Sequence, residues 1–391
     1  MPIEPAMRDF SLEVFLSKWE FAARHHLTAS DSESVTLSRL LELATPADRD
    51  RFMALPLSYT QTFGSPTLRE AIAATYPGLS AADILCFAGA EEGIYVGMRT
   101  LLCAGDHAIV MTPNYQAAET LPMSICEVTG VPLVESEDWA LDVDAIQAAV
   151  RPSTRLISVN FPNNPTGAVP ARAAFDALIE LCRRRGIWLF SDEVYRGLER
   201  SDADRIPQAA ELYERGISLN VMSKSYGLPG LRIGWVACRD RDLLASMERY
   251  KHYLSICNSA PSEVLAEIAL KARDTLLARN RGLVIENLQR LDAFFARFES
   301  LFEWKAPKGG CVAFPRYLGS EGVEVFCRRL IEEAGVLLLP ASIYRSELTD
   351  TPRDRFRIGF GRANLPAGVQ AMQAWLSGAQ SPVGRQLSSG S

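Results

Sequence analysis

From about residue 65 to residue 240 the chain alternates short β-branched apolar runs with longer amphipathic stretches. This alternation limits the fold more than any other feature. Strands are expected at 107–112, 131–134, 156–160, 187–190, 219–222 and 233–238. The clearest helix between them covers about 171–185. It keeps Phe175, Leu178, Ile179 and Cys182 on one face, ends in three arginines and stops at Gly186. Strand, helix, strand in repetition reads as an α/β domain with a mostly parallel sheet flanked by helices. Such sheets bind ligands beyond the carboxyl ends of their strands, so the loops after these runs are where chemistry is expected.

The rest of the chain follows other patterns. Residues 9–24 carry apolar side chains at helical spacing, and 28–34 form a polar break rich in Ser and Asp. A helix-compatible stretch runs from about 262 to 300. Short strand-like pieces follow at 311–314, 336–339 and 356–360, which reads as a second, smaller α+β domain. The expected division is an N-terminal segment (1–50) packing on the small domain and the active site, a large domain (51–280), a small domain (281–376) and a disordered Ser/Gly-rich tail (377–391).

Composition narrows the function. The net charge is −6, which argues against generic nucleic-acid binding. No apolar run reaches membrane-spanning length, and the start lacks a basic segment followed by an apolar core, so a soluble, cytoplasmic protein is expected. The eight cysteines are scattered without a C-x-x-C pair, and there are four histidines. Reduced, packed thiols and no metal site are expected.

Three loops carry candidate chemistry. After 156–160 comes Asn163-Asn164-Pro165-Thr166-Gly167, by itself a turn. After 187–190 comes Ser191-Asp192-Glu193-Val194-Tyr195, with an acid at a strand tip. After 219–222 comes Ser223-Lys224-Ser225-Tyr226-Gly227, with Arg232 eight residues beyond the lysine. Singly, Asp192 fits a helix cap, Lys224 a solvated surface and Arg232 an ion pair. As an ordered set they supply an amine that condenses with an aldehyde and a carboxylate that keeps a pyridine nitrogen protonated. They also supply a phenol donor to a phenolic oxygen, and an arginine and a serine for a phosphate.

The set N-P-T-G, D-x-x-Y, S-K-x7-R, in a chain similar from about Leu57 to Gly361, resembles the fold-type I, class I/II aminotransferase family. The resemblance implies pyridoxal 5'-phosphate as cofactor, with Lys224 as the lysine linked to it and as the carrier of the α-carbon proton. Asp192 resembles the partner of the pyridinium nitrogen. Tyr195 and Asn164 resemble the donors to the 3' oxygen, and Asn164 also touches the substrate carboxylate. Ser223 and Arg232 resemble phosphate ligands. Gly89-Ala90-Glu91, ahead of a helix, resembles the turn whose N–H groups grip the phosphate. The glutamates depart from the small or hydroxylated residues usual there, and a Glu91 side chain would repel a phosphate. Tyr115 resembles the aromatic stacked on the ring. Tyr59 resembles the tyrosine that a second subunit contributes, which implies a homodimer. Val221 stands where many relatives have Ser or Thr.

The resemblance also implies an arginine for the substrate carboxylate. Arg357, in Arg357-Ile358-Gly359-Phe360, fits best by motif shape, although Arg355 shares its face by strand period. Asp31 and Glu33 in the polar break suggest a receiver for a cationic side chain, against the alternative of helix capping and solvation. Tyr253-Leu254-Ser255 and Lys308-Gly309-Gly310-Cys311 resemble stretches of capreomycidine-synthase-like members, which modify arginine derivatives. The resemblance thus implies an aminotransferase working between an L-amino acid and a 2-oxo acid, with a cyclase or lyase on an arginine-derived amino acid as the alternative. An effector domain of a transcription regulator finds no recognition-helix pattern here, and a dinucleotide-binding reductase finds no G-x-G-x-x-G after a strand.

Overall fold

The structure, a computed structural model, describes residues 7–379. Its centre is a seven-stranded sheet. The strands lie in the order Ile84–Phe87, Gly234–Cys238, Gly216–Val221, Trp188–Asp192, Thr154–Asn160, His107–Thr112, Glu127–Pro132. The last five run parallel, and Gly234–Cys238 runs antiparallel to both its neighbours. The interior strands are buried along nearly their whole length, as continuous Val/Ile/Leu runs require when helices cover both faces. The helix Arg172–Arg185 buries Phe175, Leu178, Ile179 and Cys182. It ends at Gly186, whose φ of 64° is the left-handed conformation that glycine adopts without a Cβ clash. The architecture is the expected α/β one, a mostly parallel sheet with helices on its faces.

Two expectations shift. The strand placed at 131–134 is Glu127–Pro132 instead. It is an edge strand, half-exposed over most of its length, so its polar half pairs as well as its apolar half. The stretch 262–300 is two helices, Ala260–Lys271 and Arg273–Arg297, separated at Ala272.

The small domain holds a three-stranded antiparallel sheet, Val312–Ala313, Phe356–Gly359 and Leu339–Pro340. Its core is aromatic: Phe294, Phe295, Phe302, Phe326 and Phe356 pack with Tyr317. Each such ring, fully buried, contributes roughly 1.5–3 kcal/mol. The N-terminal segment joins this domain: His25–His26 pairs in parallel with Val336–Leu337, and Leu27 enters the aromatic core. The helix Ser11–Trp19 buries Leu12 against Phe314, Leu339 and Tyr344. Of the tail expected from 377, residues 377–379 continue the helix Leu365–Ala379; the remainder lies outside the described residues.

Register sets the site. Asn160 pairs with Asp192, and Asp192 with Leu219, so three parallel strands end at one edge. Their outgoing loops are the three that carry the motifs.

Candidate active site

At that edge lies a cavity of about 560 Å³ between the large domain, the small domain and the N-terminal segment. Ala90, Glu91, Tyr115, Asn164, Asp192, Tyr195, Ser223, Lys224, Arg232 and Arg357 all line it.

Lys224 follows the strand Gly216–Val221 and donates from Nζ to Ser30 Oγ at 2.9 Å. Burial pulls its ammonium below the usual lysine range, with Arg357 adding to the effect and Asp31 and Asp192 opposing it. Asp192 ends the neighbouring strand. Its Oδ1 accepts from the Val194 N–H at 3.2 Å, and burial pushes the carboxyl up to about 6. Tyr195 is 1% exposed, and its hydroxyl has no well-formed hydrogen bond; the polar group it faces is Ser30. Asn164 is fixed by its own N–H donating to Asn160 Oδ1 at 2.8 Å, while Asn160 Nδ2 donates to the Asp192 carbonyl at 3.0 Å. One asparagine thereby ties two motif loops together.

Arg357 is 1% exposed on the small-domain strand Phe356–Gly359. It donates to Asn164 Oδ1 at 3.0 Å and to the Thr28 carbonyl at 2.5 Å, and its Nε has no partner. No carboxylate pairs with it among the described residues. A buried cation without a counter-ion is costly, so this position favours an incoming anion.

The opposite wall is a cradle. Gly89, with φ of 97°, precedes the helix Ala90–Leu101. A Cβ at Gly89 would overlap the Arg232 guanidinium, and one at Gly234 would come within 2.7 Å of the Gly89 carbonyl carbon and 2.8 Å of the Ala90 nitrogen. Bare backbone, the unpaired first N–H groups of a helix and an arginine thus converge. Burial pushes the Glu91 carboxyl up to about 7, with the neighbouring Tyr115 hydroxyl opposing the shift. The repulsion expected from Glu91 is therefore eased, because its proton stays close to neutral pH. Tyr115 packs against Phe10 at 5.1 Å between centroids.

Other expectations change. Arg355 does not share the cavity with Arg357. It lies just before the strand, where Glu135 and the Phe314 carbonyl hold its guanidinium and the Trp139 ring covers it. Asp31 is already paired, accepting from Arg362 Nε at 2.9 Å and Nη2 at 2.8 Å, and Glu33 accepts from the Ala363 N–H at 2.7 Å. Asp31 is thus neutralised by Arg362, and Glu33, tied to the backbone, does not line the cavity. Tyr59 is 86% exposed and outside the chain's own cavity. Sequence reasoning placed Ser30 in the break expected near the pocket but gave it no role, and it did not single out Glu13, Leu16 and Glu20, which the helix Ser11–Trp19 and its end bring to the cavity. No spacing marks them, since only tertiary packing lays this helix over the mouth.

The sequence profile of the family "Aminotransferase class I and II" matches residues 55–371. The chain is 28% identical over 365 residues to capreomycidine synthase of Streptomyces vinaceus, with 92% of each chain covered. A pyridoxal-phosphate-dependent aminotransferase from Streptococcus suis superposes with a TM-score of 0.88 at 30% identity, covering 95% of this chain and 98% of that one. The pyridoxal-phosphate-dependent cyclase OrfR superposes with a TM-score of 0.86 at 26% identity, covering 96% and 99%. The chain belongs to the class I and II aminotransferases. It is a fold-type I enzyme that uses pyridoxal 5'-phosphate.

The residues present fit that cofactor. The orphaned Tyr195 hydroxyl, the buried Asp192 carboxyl and the glycine cradle beside Arg232 match a phenolic oxygen, a ring nitrogen and a phosphate in turn.

Proposed function

We propose that the protein is an aminotransferase that moves the amino group of an L-amino acid to a 2-oxo acid. The observation that carries this reading is Arg357, a buried guanidinium without a carboxylate, facing Lys224 across one cavity. Arg357 and Asn164 would hold the α-carboxylate by charge-assisted hydrogen bonds. Lys224, whose charged form burial disfavours, would take the α-carbon proton and return it. Asp192 would hold the ring nitrogen, Tyr195 and Asn164 the 3' oxygen, Tyr115 the ring face, and Ser223, Arg232 and the backbone of Gly89, Ala90 and Glu91 the phosphate. The cofactor, when bound, supplies the electron sink that makes the α-proton removable.

A second reading keeps the cofactor and ends in elimination or ring closure on an arginine-derived amino acid. Two comparisons favour it: capreomycidine synthase, and the cyclase OrfR. Glu13 and Glu20 at the cavity also suit a cationic side chain.

We further propose a homodimer and a cytoplasmic location. Leu57, Tyr59, Tyr253, Leu254 and Ile256 are exposed apolar or aromatic side chains from two neighbouring segments, which a second copy would cover while delivering Tyr59 to its partner's phosphate. No helix among the described residues is long and apolar enough to cross a membrane.

The test is a panel of amino acids, arginine derivatives included, mixed with the purified holoenzyme. A transaminase leaves the cofactor in its amine form and stalls without a 2-oxo acid. A cyclase or lyase restores the aldehyde form unaided and yields a product of altered mass. Turnover to a cyclised or eliminated product, with no need for an acceptor, would replace the first reading by the second.

A further inference from the structure

The polar break that precedes the large domain returns to the centre of the site. The Ser32 N–H donates to the Lys224 carbonyl at 3.2 Å, and the Glu33 N–H donates to the Gly361 carbonyl at 2.8 Å. A Cβ on Gly359 would overlap the Ala29 carbonyl and one on Gly361 the Asp31 carbonyl, so the segment touches the strand Phe356–Gly359 and its exit backbone to backbone. Residue 30 is therefore held in place by both domains. Its hydroxyl accepts from Lys224 Nζ at 2.9 Å and lines the same cavity as the Tyr195 phenol, which has no hydrogen-bond partner among the described residues.

We propose that Ser30 is a positioning residue: its hydroxyl accepts a hydrogen bond from the Lys224 amine and gives its own proton to Tyr195, tethering both groups at once. This rests on the reading of Lys224 as the proton carrier. An amine takes the α-carbon proton through its lone pair, becomes an ammonium and then hands that proton on. Donating one N–H to a fixed oxygen leaves the lone pair free and limits where it points. The neighbour matters by its charge as well. Asp31, one residue on, is engaged by Arg362, so the direct partner of the lysine is a neutral hydroxyl. A carboxylate at position 30 would instead hold the lysine as ammonium, unable to accept a proton. The other titratable groups facing the amine are Asp31, Arg357, the Cys311 thiol and Asp192. On the far side, a phenol that accepts a hydrogen bond is a stronger donor to the cofactor's 3' oxygen.

The test compares wild type, Ser30→Ala and Ser30→Thr as holoenzymes. Borohydride reduction followed by peptide mass mapping first locates the cofactor. Attachment elsewhere than Lys224 overturns the lysine reading and this proposal together. With the cofactor on Lys224, Ser30→Ala should move the pH midpoint of the resting cofactor's absorbance upward. It should also lower kcat by about tenfold to a hundredfold with KM nearly unchanged, as expected for one lost hydrogen bond to a charged group. Ser30→Thr, which keeps the hydroxyl, should restore most of both. An unmoved midpoint, or kcat and KM falling together with no rescue by Thr, overturns the role of Ser30 and leaves that of Lys224 standing.

Discussion

At the scale of single residues, the charges without partners are the informative ones. Arg232 and Arg357 form no ion pair among the described residues, whereas Arg355, two positions from Arg357, is held by Glu135. Arg357→Met should lower kcat/KM for amino acids roughly a hundredfold or more, because a charge-assisted grip on the carboxylate is lost. It should leave the melting temperature of the cofactor-free protein unchanged or higher, because an uncompensated buried charge is removed. Arg355→Met should do the reverse, lowering stability with little effect on substrate binding. Steady-state kinetics and calorimetry on both variants decide between the two arginines. His26 offers a pH test. Burial, with help from Arg362, lowers its pKa from 6.5 to about 4. Across that window the unfolded chain binds a proton that the folded chain does not, so the stability contributed here is lost as pH falls. Asp192, raised from 3.8 to about 6, works in the opposite sense. The clean comparison is therefore with His26→Gln, whose denaturant midpoint should fall less than that of wild type between about pH 7 and about pH 5.

Among the elements, the junction of Gly234–Cys238 with the helix Ala90–Leu101 is the most constrained. Gly234 lets the strand pass within contact distance of Gly89 and Ala90 backbone, and backbone has nowhere to retreat. Gly234→Ala should push this turn away from Arg232. Cofactor retention through dialysis should fall at least tenfold while the far-ultraviolet circular dichroism of the protein stays unchanged. Unaltered retention would show that the cradle does not hold the phosphate. The strands were easier to read than their partners. Interior strands are apolar on both faces and stand out in sequence, whereas the edge strand Glu127–Pro132 reads as loop in its polar half. Ala272 divides two helices without proline or glycine, a break that follows from packing and leaves no sequence mark.

For the whole molecule, the proposed dimer makes the site a shared one. Tyr59→Phe removes only a hydroxyl, and if that hydroxyl reaches the partner's phosphate it should weaken cofactor retention without altering the sedimentation of the protein. Tyr253→Asp, which places a charge in the exposed apolar patch, should instead give monomers with a concentration-dependent loss of activity. Equal sedimentation and equal activity in both variants would remove the proposed interface.

The alternation of apolar strands with helices made the fold class legible, and Asn164, Asp192, Tyr195 and Lys224, at or just past strand ends, with Arg232 ahead of the next strand, made the resemblance that implied the cofactor legible, because parallel strands deliver their outgoing loops to one edge. Tertiary structure alone decided which arginine faces the cavity, that Asp31 is spent on Arg362, and that Ser30 meets the lysine across 194 residues of chain. The reason is physical. Local pattern fixes which face a side chain takes on its own element, whereas the group it meets depends on how two domains and an N-terminal segment pack together.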